Sequence, residues 1–397
     1  MARQKKEDSS SEDEKLPDIK SSVRSLRNSL NKGDDIMAWD LTKDDSPTVV
    51  KDFISTGSTL LDYVASNREN GGVPCGKLTE IQGEESSGKS LICAHIAANT
   101  QKKGGIVVYL DTENAANPDF MKRIGVDLSS MIYVQPGTIE NAFESIESVI
   151  KTLRAKSSTT PVTIIWDSVG NTPPQAEIEG DYDPNSRMGL GAKAMAKGLR
   201  KITDLIGKEQ ITLVFTNPLK YAMGGSPYAD PFITPYGKAV PYHSSLRIRL
   251  TSSTKLKSPS GEIYGIITNG RIIKTRLGPG HRSTKFEIHF DYGIDDERSW
   301  FDLLHDAGMI SKSDGWCYIE EIPSGKLAVK GVHEGKDRGL QFREKEWASM
   351  ARTQDNVRKW ALSTIKKLLV KVYDETRPSD REGIEIPNED SDIVESE

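Results

Sequence analysis

The 397-residue chain has only three cysteines, Cys75, Cys93 and Cys317, spaced too widely for a disulfide framework or a set of metal ligands. Packing is their expected role, and a reducing cytoplasm the expected setting. No apolar run approaches the roughly 18 residues of a membrane span. The opening MARQKKEDSSSEDEK lacks the apolar stretch of a secretory signal, so no membrane partner is expected. A surplus of positive charge is missing too: the formal net charge is −5, which taken alone argues against nucleic acid. That average conceals an asymmetry. From Asp374 onward ten acidic residues face only Arg377 and Arg381, a net of −8, which leaves +3 on the other 373 residues. An acidic tail on a mildly basic body suits an electrostatic competitor for a basic surface, and equally a disordered solubilising tail.

What the chain does have is a long alternation of strand and helix signals. Residues 1 to 17 read as disordered. Asp18 then caps a helix whose apolar residues Ile19, Val23, Leu26 and Leu30 recur at steps of three and four, ending at Gly33. The polar DLTKDDSPT (40 to 48) separates this helix from the main domain, and its narrow stripe suits either docking on a neighbour or folding back on its own core. Between residues 49 and 300 the runs GGIVVYLD, MIYVQ, PVTIIWD and ITLVFT are short, apolar on both faces and separated by amphipathic segments. That pattern predicts a mostly parallel sheet covered on both sides. SSLRIRL, EIYGIIT, RIIKTR and KFEIHFD follow without helices and predict an antiparallel extension. From Ser299 a smaller α+β unit is expected, spanning 301 to 373. It ends in the helix NVRKWALSTIKKLLVKV, with Trp360, Ile365, Leu368 and Val372 on one side, before the acidic tail of 374 to 397. The fold class is therefore α/β, with appendages at both ends and no internal repeat.

The run IQGEESSGKS carries the most specific chemistry. Gly83 and Gly88 bracket Glu84, Glu85, Ser86 and Ser87, and Lys89 and Ser90 follow, in the P-loop spacing G-x-x-x-x-G-K-S. The glycines let successive backbone N–H groups turn toward phosphate oxygens, and the helix starting near Lys89 adds its positive end. Lys89 would reach the β and γ phosphates of ATP, and the Ser90 hydroxyl would hold Mg2+. The flanking KLTEIQ alternates as a strand and SLICAHIAANTQ reads as a helix with one apolar face, the order that a phosphate cradle requires. Asp167 closes the apolar strand VTIIWD where a magnesium-ordering acid belongs. Glu113, just after IVVYLD, emerges at the same carboxyl edge as a candidate general base. Asp111 is near enough to compete for that role.

These landmarks, with STGSTLLD (55 to 62), LDTENAANP (110 to 118), RIGVD (123 to 127), DSVGNTPPQAEIEGD (167 to 181), RMGLGAKAMAKGLRK (187 to 201), VFTN (214 to 217) and GKAVPYHSSLRI (237 to 248), resemble the RecA-type recombinases, including their homologues in large bacterial viruses. The likeness covers residues 50 to 300 in order and thins beyond. It implies a RecA-like P-loop NTPase core and an N-terminal helix and linker at 18 to 48 that dock on the next subunit. It also makes Glu113 the catalytic glutamate and Asn217 a polar group near the γ phosphate. Asn117 would offer an amide to the adenine edge, with Phe120 and Phe290 as apolar walls. Lys274 and Arg276, two cations of RIIKTRL that alternate along one strand, would reach the nucleotide of the adjoining protomer.

The resemblance places DNA contact on two loops. The first, EGDYDPNSRMG (179 to 189), includes Arg187 and Met188 and leads into a helix with Lys193, Lys197 and Arg200 or Lys201 on one face, suited to a phosphate backbone. The second runs from Pro218 to Tyr236. Its Tyr221, Met223, Tyr228 and Phe232 suit stacking on bases, and Gly237 and Lys238 would meet the backbone. Bacterial members carry glutamine where this chain has Pro218, which has no amide to sense a γ phosphate. Lys220 is the expected substitute in coupling DNA binding to hydrolysis, and the extra cation Lys238 predicts a steeper salt dependence. The implied function is an ATP-dependent recombinase: a DNA-stimulated ATPase that forms a helical homo-oligomeric filament on single-stranded DNA and pairs it with homologous double-stranded DNA in recombination and repair. Single-strand-binding and loader proteins are the expected further partners, in a bacterial or phage-infected cell. The alternatives are a ring ATPase sharing the core, whether a helicase-like motor or a regulatory kinase, and a weakly hydrolysing accessory filament protein.

Overall fold

The computed structural model describes residues 19–31, 37–41, 46–157, 159–180, 189–221, 230–322 and 339–371. Asp18, Gly33, Arg187, Met188, Met223, Tyr228, Val372, the first 17 residues and the acidic tail lie outside them. The chain divides into two compact units, Met1–Lys51 and Asp52–Glu397.

In the first unit, helix α1 (Ile19–Leu30) buries no residue, and its stripe of Ile19, Val23, Leu26 and Leu30 is exposed. Its exit is fixed by polar contacts. Asn31 accepts the Met37 and Ala38 N–H groups at 2.9 and 2.8 Å, and Arg27 meets Asp40 at 2.6 Å.

The second unit begins with β1 (Phe53–Ile54), α2 (Thr59–Ser66) and β2 (Val73–Pro74), the two short strands pairing with each other. The alternating segment follows as β3 (Leu78–Gly83), α3 (Lys89–Lys102), β4 (Ile106–Asp111), α4 (Pro118–Ile124), β5 (Met131–Val134), α5 (Ile139–Lys156), β6 (Val162–Asp167), α6 (Gln175–Ile178), α7 (Leu190–Lys208) and β7 (Ile211–Pro218). A ribbon of β8 (Lys220–Tyr221) and β9 (Phe232–Ile233) precedes α8 (Ala239–His243). The antiparallel part is β10 (Leu246–Lys257), β11 (Ile263–Thr275), β12 (Ser283–His289) and β13 (Gly293–Asp295). The nine-stranded sheet runs β13-β12-β11-β10-β3-β7-β6-β4-β5, parallel from β10 through β5 and antiparallel from β10 to β13.

Helices cover both faces, as the apolar strands require. On one face α3 is buried on nearly every side (Leu91, Ile92, Cys93, Ala94, Ile96, Ala97, Ala98), so the expectation of a single apolar face understates it. On the other, α5 and α7 lay Phe143, Ile146, Met195, Leu199 and Ile202 against the sheet. There Trp166 is held edge-on between Phe143 and Phe215 at 5.3 and 5.2 Å, and its indole N–H donates to Thr172. Burying side chains of this size stabilises by about 1.5–3 kcal/mol each.

Three sequence expectations need correction. EIYGIIT and RIIKTR are one strand, β11. Gly270 between them is paired on both sides, and a Cβ there would lie 2.9 Å from Leu61, so that glycine answers close packing rather than a break. MIYVQ is not buried on both faces, because β5 is the sheet edge and leaves Ile132 and Tyr133 exposed. In the last helix the buried side is Val357, Ala361, Thr364 and Ile365, while Trp360 is half-buried and Leu368 exposed. That helix is α11 (Asp355–Leu369). With α9 (Asp296–Asp306), α10 (Trp347–Thr353) and a small sheet of β14 (Ser311–Ser313), β15 (Trp316–Ile319) and β16 (Leu340–Phe342), it builds a separate core around Trp300, Phe301 and Trp347. Leu60 and Tyr63 of α2 join that core. Cys75, Cys93 and Cys317 are buried free thiols. Among the described residues no helix is long and apolar enough to cross a membrane.

Candidate nucleotide site and nucleic-acid interface

Strand β3 delivers the chain to Gly83 at the carboxyl edge, and α3 leaves from Lys89. Between them Gly88 takes a positive φ of 98°, which glycine adopts without strain. A Cβ on Gly83 would lie 2.4 Å from the Ser87 hydroxyl and 2.8 Å from the Leu250 carbonyl, so no larger residue fits the floor of the cradle. Ser87 ties the loop by donating to the Glu84 carbonyl at 2.8 Å. Glu84, Glu85, Ser86 and Ser90 are exposed. Lys89 folds over the loop, its Nζ donating to the Gly83 and Glu84 carbonyls at 3.0 and 2.8 Å. Burial lowers its pKa, and the charges of Asp167, Glu113 and Glu85 oppose that shift. A cation held over a glycine loop that opens into the N-terminal end of a helix suits a polyphosphate, so the residues present fit ATP. Ser90, whose hydroxyl is at the open mouth, is the side chain suited to a magnesium ion carried by the phosphates.

The two carboxylates sit at the same edge in different roles. Asp167 is buried at the end of β6. Tyr109 donates to its Oδ2 at 2.7 Å and the Thr216 hydroxyl donates to Oδ1, a holding pattern suited to ordering the waters of a metal shell. Glu113 is exposed, and its Oε1 accepts from the Ser168 hydroxyl and from Asn171 Nδ2, the latter at 2.6 Å. It is the acid free to meet a water. Asp111 is not an equivalent competitor: its oxygens accept the Glu113, Ala115 and Ala116 N–H groups and the Tyr133 hydroxyl, so it organises the loop that presents Glu113.

Asn217 is fully buried at the end of β7. Its Nδ2 donates to Glu80 Oε1 at 2.9 Å, and its Oδ1 has no partner. Asn117 caps α4, its Oδ1 accepting the Phe120 N–H at 3.0 Å. Phe120 leans on the core near Arg123, and Phe290 is exposed.

Lys274 lies within β11, whereas Arg276 is just beyond its end and not inside the strand as expected. The two still converge: Lys274 Nζ donates to the Pro241 and Tyr242 carbonyls at 2.7 and 3.2 Å, and Arg276 Nη2 to Tyr242 at 3.4 Å. Through the register Lys274–Arg247–Glu80, Lys274 sits at the level of Glu80, about 10 Å of strand before the Gly83 cradle at the usual rise per residue, and Arg276, whose N–H donates to the Ser245 carbonyl, lies further from the cradle still. Both lean on α8 and not on the cradle of their own chain.

On the side assigned to DNA, Lys193, Lys197 and Arg200 are exposed along α7. Lys201 is instead paired with Glu147 at 2.6 Å, which removes it from that row. Tyr221 and Phe232 face each other across the β8–β9 ribbon with ring centroids 4.9 Å apart. Gly237 and Lys238 are exposed ahead of α8, and Lys220 is exposed in β8. Directly after Pro218, the Leu219 N–H donates to the Gly83 carbonyl at 3.2 Å, the same oxygen that Lys89 holds.

Beside Asn217, which the resemblance already singled out, four polar side chains are candidates that the glycine-loop and strand-end motifs do not mark. Glu80 and Gln82 of β3, Asn217 of β7, and Arg247 and Arg249 of β10 form adjacent rows on one face of the sheet, with Arg247 Nε 2.5 Å from Glu80. The period-two placement of Glu80 and Gln82 between Leu78, Thr79 and Ile81 carries that information. A motif search weighted toward the glycine loop passes over it.

A model of the RecA N-terminal domain matches residues 18–295. The chain is 31% identical over 345 residues to Protein RecA of Arthrospira platensis, covering 87% of each chain. It is 34% identical over 303 residues to Protein RecA of Trichodesmium erythraeum (76% of this chain, 79% of that one), and 32% over 327 residues to Protein RecA of Thermus aquaticus (82% and 92%).

Proposed function

The chain belongs to the RecA family, and on that premise we propose that it is an ATP-dependent recombinase, assembling as a helical filament on single-stranded DNA and catalysing homologous pairing and strand exchange. The observation that carries the coupling of nucleotide to DNA is the Leu219 N–H on the Gly83 carbonyl. The stretch proposed to grip DNA thus begins on the first residue of the phosphate cradle. Bound ATP with Mg2+ supplies the phosphoanhydride to be cleaved. Lys89 leaves the Gly83 and Glu84 carbonyls to neutralise phosphate charge, and Glu113, steadied by Ser168 and Asn171, orients and deprotonates the attacking water. Releasing Lys89 leaves Leu219 as the protein donor to Gly83 among the contacts described, so occupancy of the cradle is felt at the stem of the loop. Asn117, Phe120 and Phe290 line the base side. Lys274 and Arg276 complete the site of the adjoining protomer, which makes ATP a ligand of the assembled state; it favours that state only through this difference in contacts.

Residues 18–48 serve as the docking arm, 49–300 as the ATPase core, 301–373 as the small C-terminal domain and 374–397 as the acidic tail. The substitution of Pro218 for an amide supports a finer kinship with the homologues of large bacterial viruses, and with it a place inside a bacterial or phage-infected cell. Mixed clustering with bacterial sequences in a family tree would end that refinement. Lys220 is the side chain assigned to transmit DNA binding, so Lys220→Ala retaining full DNA-stimulated turnover would remove it.

Strand exchange between homologous single- and double-stranded DNA in the presence of ATP is the deciding assay. Joint molecules dependent on ATP and homology are expected. A closed hexamer that unwinds duplexes without pairing them would replace this reading by a ring motor, and unimpaired function of Glu113→Gln would reduce the protein to a filament accessory.

A further inference from the structure

Between Pro218 and Lys238 the sequence carries a single acidic residue, Asp230, alongside two lysines. Arg249 of β10 grips it with both terminal nitrogens, Nη1 to Oδ1 at 3.0 Å and Nη2 to Oδ2 at 2.7 Å. This paired fork is one that a guanidinium makes equally well with a carboxylate or a phosphate. The side chain of Arg249 is 12% exposed and that of Asp230 is 48% exposed, so the pair links the sheet to the surface. Hydrogen bonding from Arg249, aided by the Phe232 N–H and the charges of Arg249 and Arg271, holds the Asp230 carboxyl below its usual range against partial burial. Arg271 stands opposite Arg249 in the β10–β11 register, so one carboxylate serves a site with two cations. The Arg249 guanidinium also lies 5.3 Å from the centre of Phe232, which packs on the exposed Tyr221. Arg249 Nε is buried without an acceptor.

We propose that Asp230 stands in for a nucleic-acid phosphate: it fills the Arg249 fork when DNA is absent, and a phosphate of single-stranded DNA displaces it and recruits Arg249 to the contact surface. The inference rests on the assignment of the 218–236 stretch to DNA and adds a residue and a competitor to it. Exchange of one anion for another never leaves Arg249 buried without a counter-charge, which would be costly. The displaced carboxylate is already half in water. The neighbouring Tyr221–Phe232 pair would bring an aromatic surface next to the phosphate that enters, the combination that single-strand binders use.

The test is fluorescence anisotropy with a labelled oligo-dT and a slowly hydrolysed ATP analogue, over a salt series, using the full chain. Asp230→Asn is expected to bind on the order of tenfold more tightly at low salt, as a charge-assisted competitor is removed. Its salt slope is expected to stay that of the parent, because the same phosphate occupies the fork in both, whereas Arg249→Gln should lower the slope by about 0.7, the increment for one phosphate contact on a single strand. Arg249→Gln should weaken binding, and adding Asp230→Asn to it should gain nothing. Where Arg249→Gln fails to fold by thermal unfolding, Arg249→Lys, which keeps the charge and loses the fork, replaces it in the same comparison. Unchanged affinity in Asp230→Asn overturns the proposal, as does a gain that persists without the Arg249 fork, which reports only a generic loss of negative charge. A parent protein that does not hold the oligonucleotide at all ends the DNA assignment itself along with this proposal.

Discussion

The carboxyl edge of β3, β4 and β6 and the polar face of β10 and β11 belong to one sheet, yet they are finished to different degrees. At the edge the cation and the two acids assigned to chemistry have partners within the chain: Lys89 on two carbonyls, Asp167 on Tyr109 and Thr216, Glu113 on Ser168 and Asn171. On the face, Lys274 and Arg276 rest on the carbonyls of α8, and Arg249 holds one surface carboxylate. Preorganised donors and acids belong where bond cleavage occurs. Cations held by replaceable partners belong where another molecule arrives. That contrast is what the proposed sharing of a nucleotide site between adjoining protomers requires of a single chain.

The sharpest way to break that comparison is at the finished edge. Glu113→Gln is expected to lower ATP turnover by about 10²–10⁴, the usual worth of a positioned base, with nucleotide affinity kept; equal losses in both would make Glu113 a structural support. On the unfinished face, the double change Lys274→Ala with Arg276→Ala should cost about a hundredfold or more in DNA-stimulated turnover. Here mixing is decisive. Combined with Glu113→Gln protein, the double variant should recover part of its activity, because one partner supplies the acid and the other the cations. Absence of recovery in co-assembled filaments would mean that each chain completes its own site.

How much of this was legible in the sequence divides along the same line. The cradle was legible because glycine at 83 and 88 answers a local backbone demand, and the parallel strands because they are apolar and short. Asp167 and Glu113 were placed by their position just past those strands. The continuity of β11 through Gly270, the exposure of β5 and the buried side of α11 depend on which element packs alongside, and local pattern does not encode that. Asp111 illustrates the limit within the site: its spacing fits a base, and only the four donors around it assign it to the loop. Glu80, Gln82 and Arg249 become neighbours through the β3–β10 register, across more than 160 residues of chain. Arg187, Met188, Met223 and Tyr228 remain sequence assignments.

Smaller effects sharpen the contrast. His95 on α3 accepts the Ile294 N–H at 3.1 Å, and burial brings its pKa from 6.5 to about 4. Between those values the unfolded chain binds a proton that the folded one refuses, so this contribution to stability is lost as pH falls from about 6.5 toward 4. His95→Ala should cost about 2–3 kcal/mol near neutrality and flatten that dependence in denaturant titrations. Asp62 and Asp296, both raised to about 7 by burial, act in the opposite sense over that range, so the difference between parent and variant isolates the histidine. A difference constant with pH would contradict it. Smallest is the exposed row on α7. Lys193→Ala or Lys197→Ala should each reduce the salt slope of single-strand binding by about 0.7 with little effect on basal ATP binding, whereas an unchanged slope would make that row a solvated surface.

The central claim is that triphosphate seated between protomers joins them into a spiral on unpaired DNA. Electron microscopy of the full chain with single-stranded DNA and a slowly hydrolysed ATP analogue tests it most directly. Continuous helical filaments that disappear when the nucleotide is omitted are the expected result, and isolated monomers under the same conditions would contradict it.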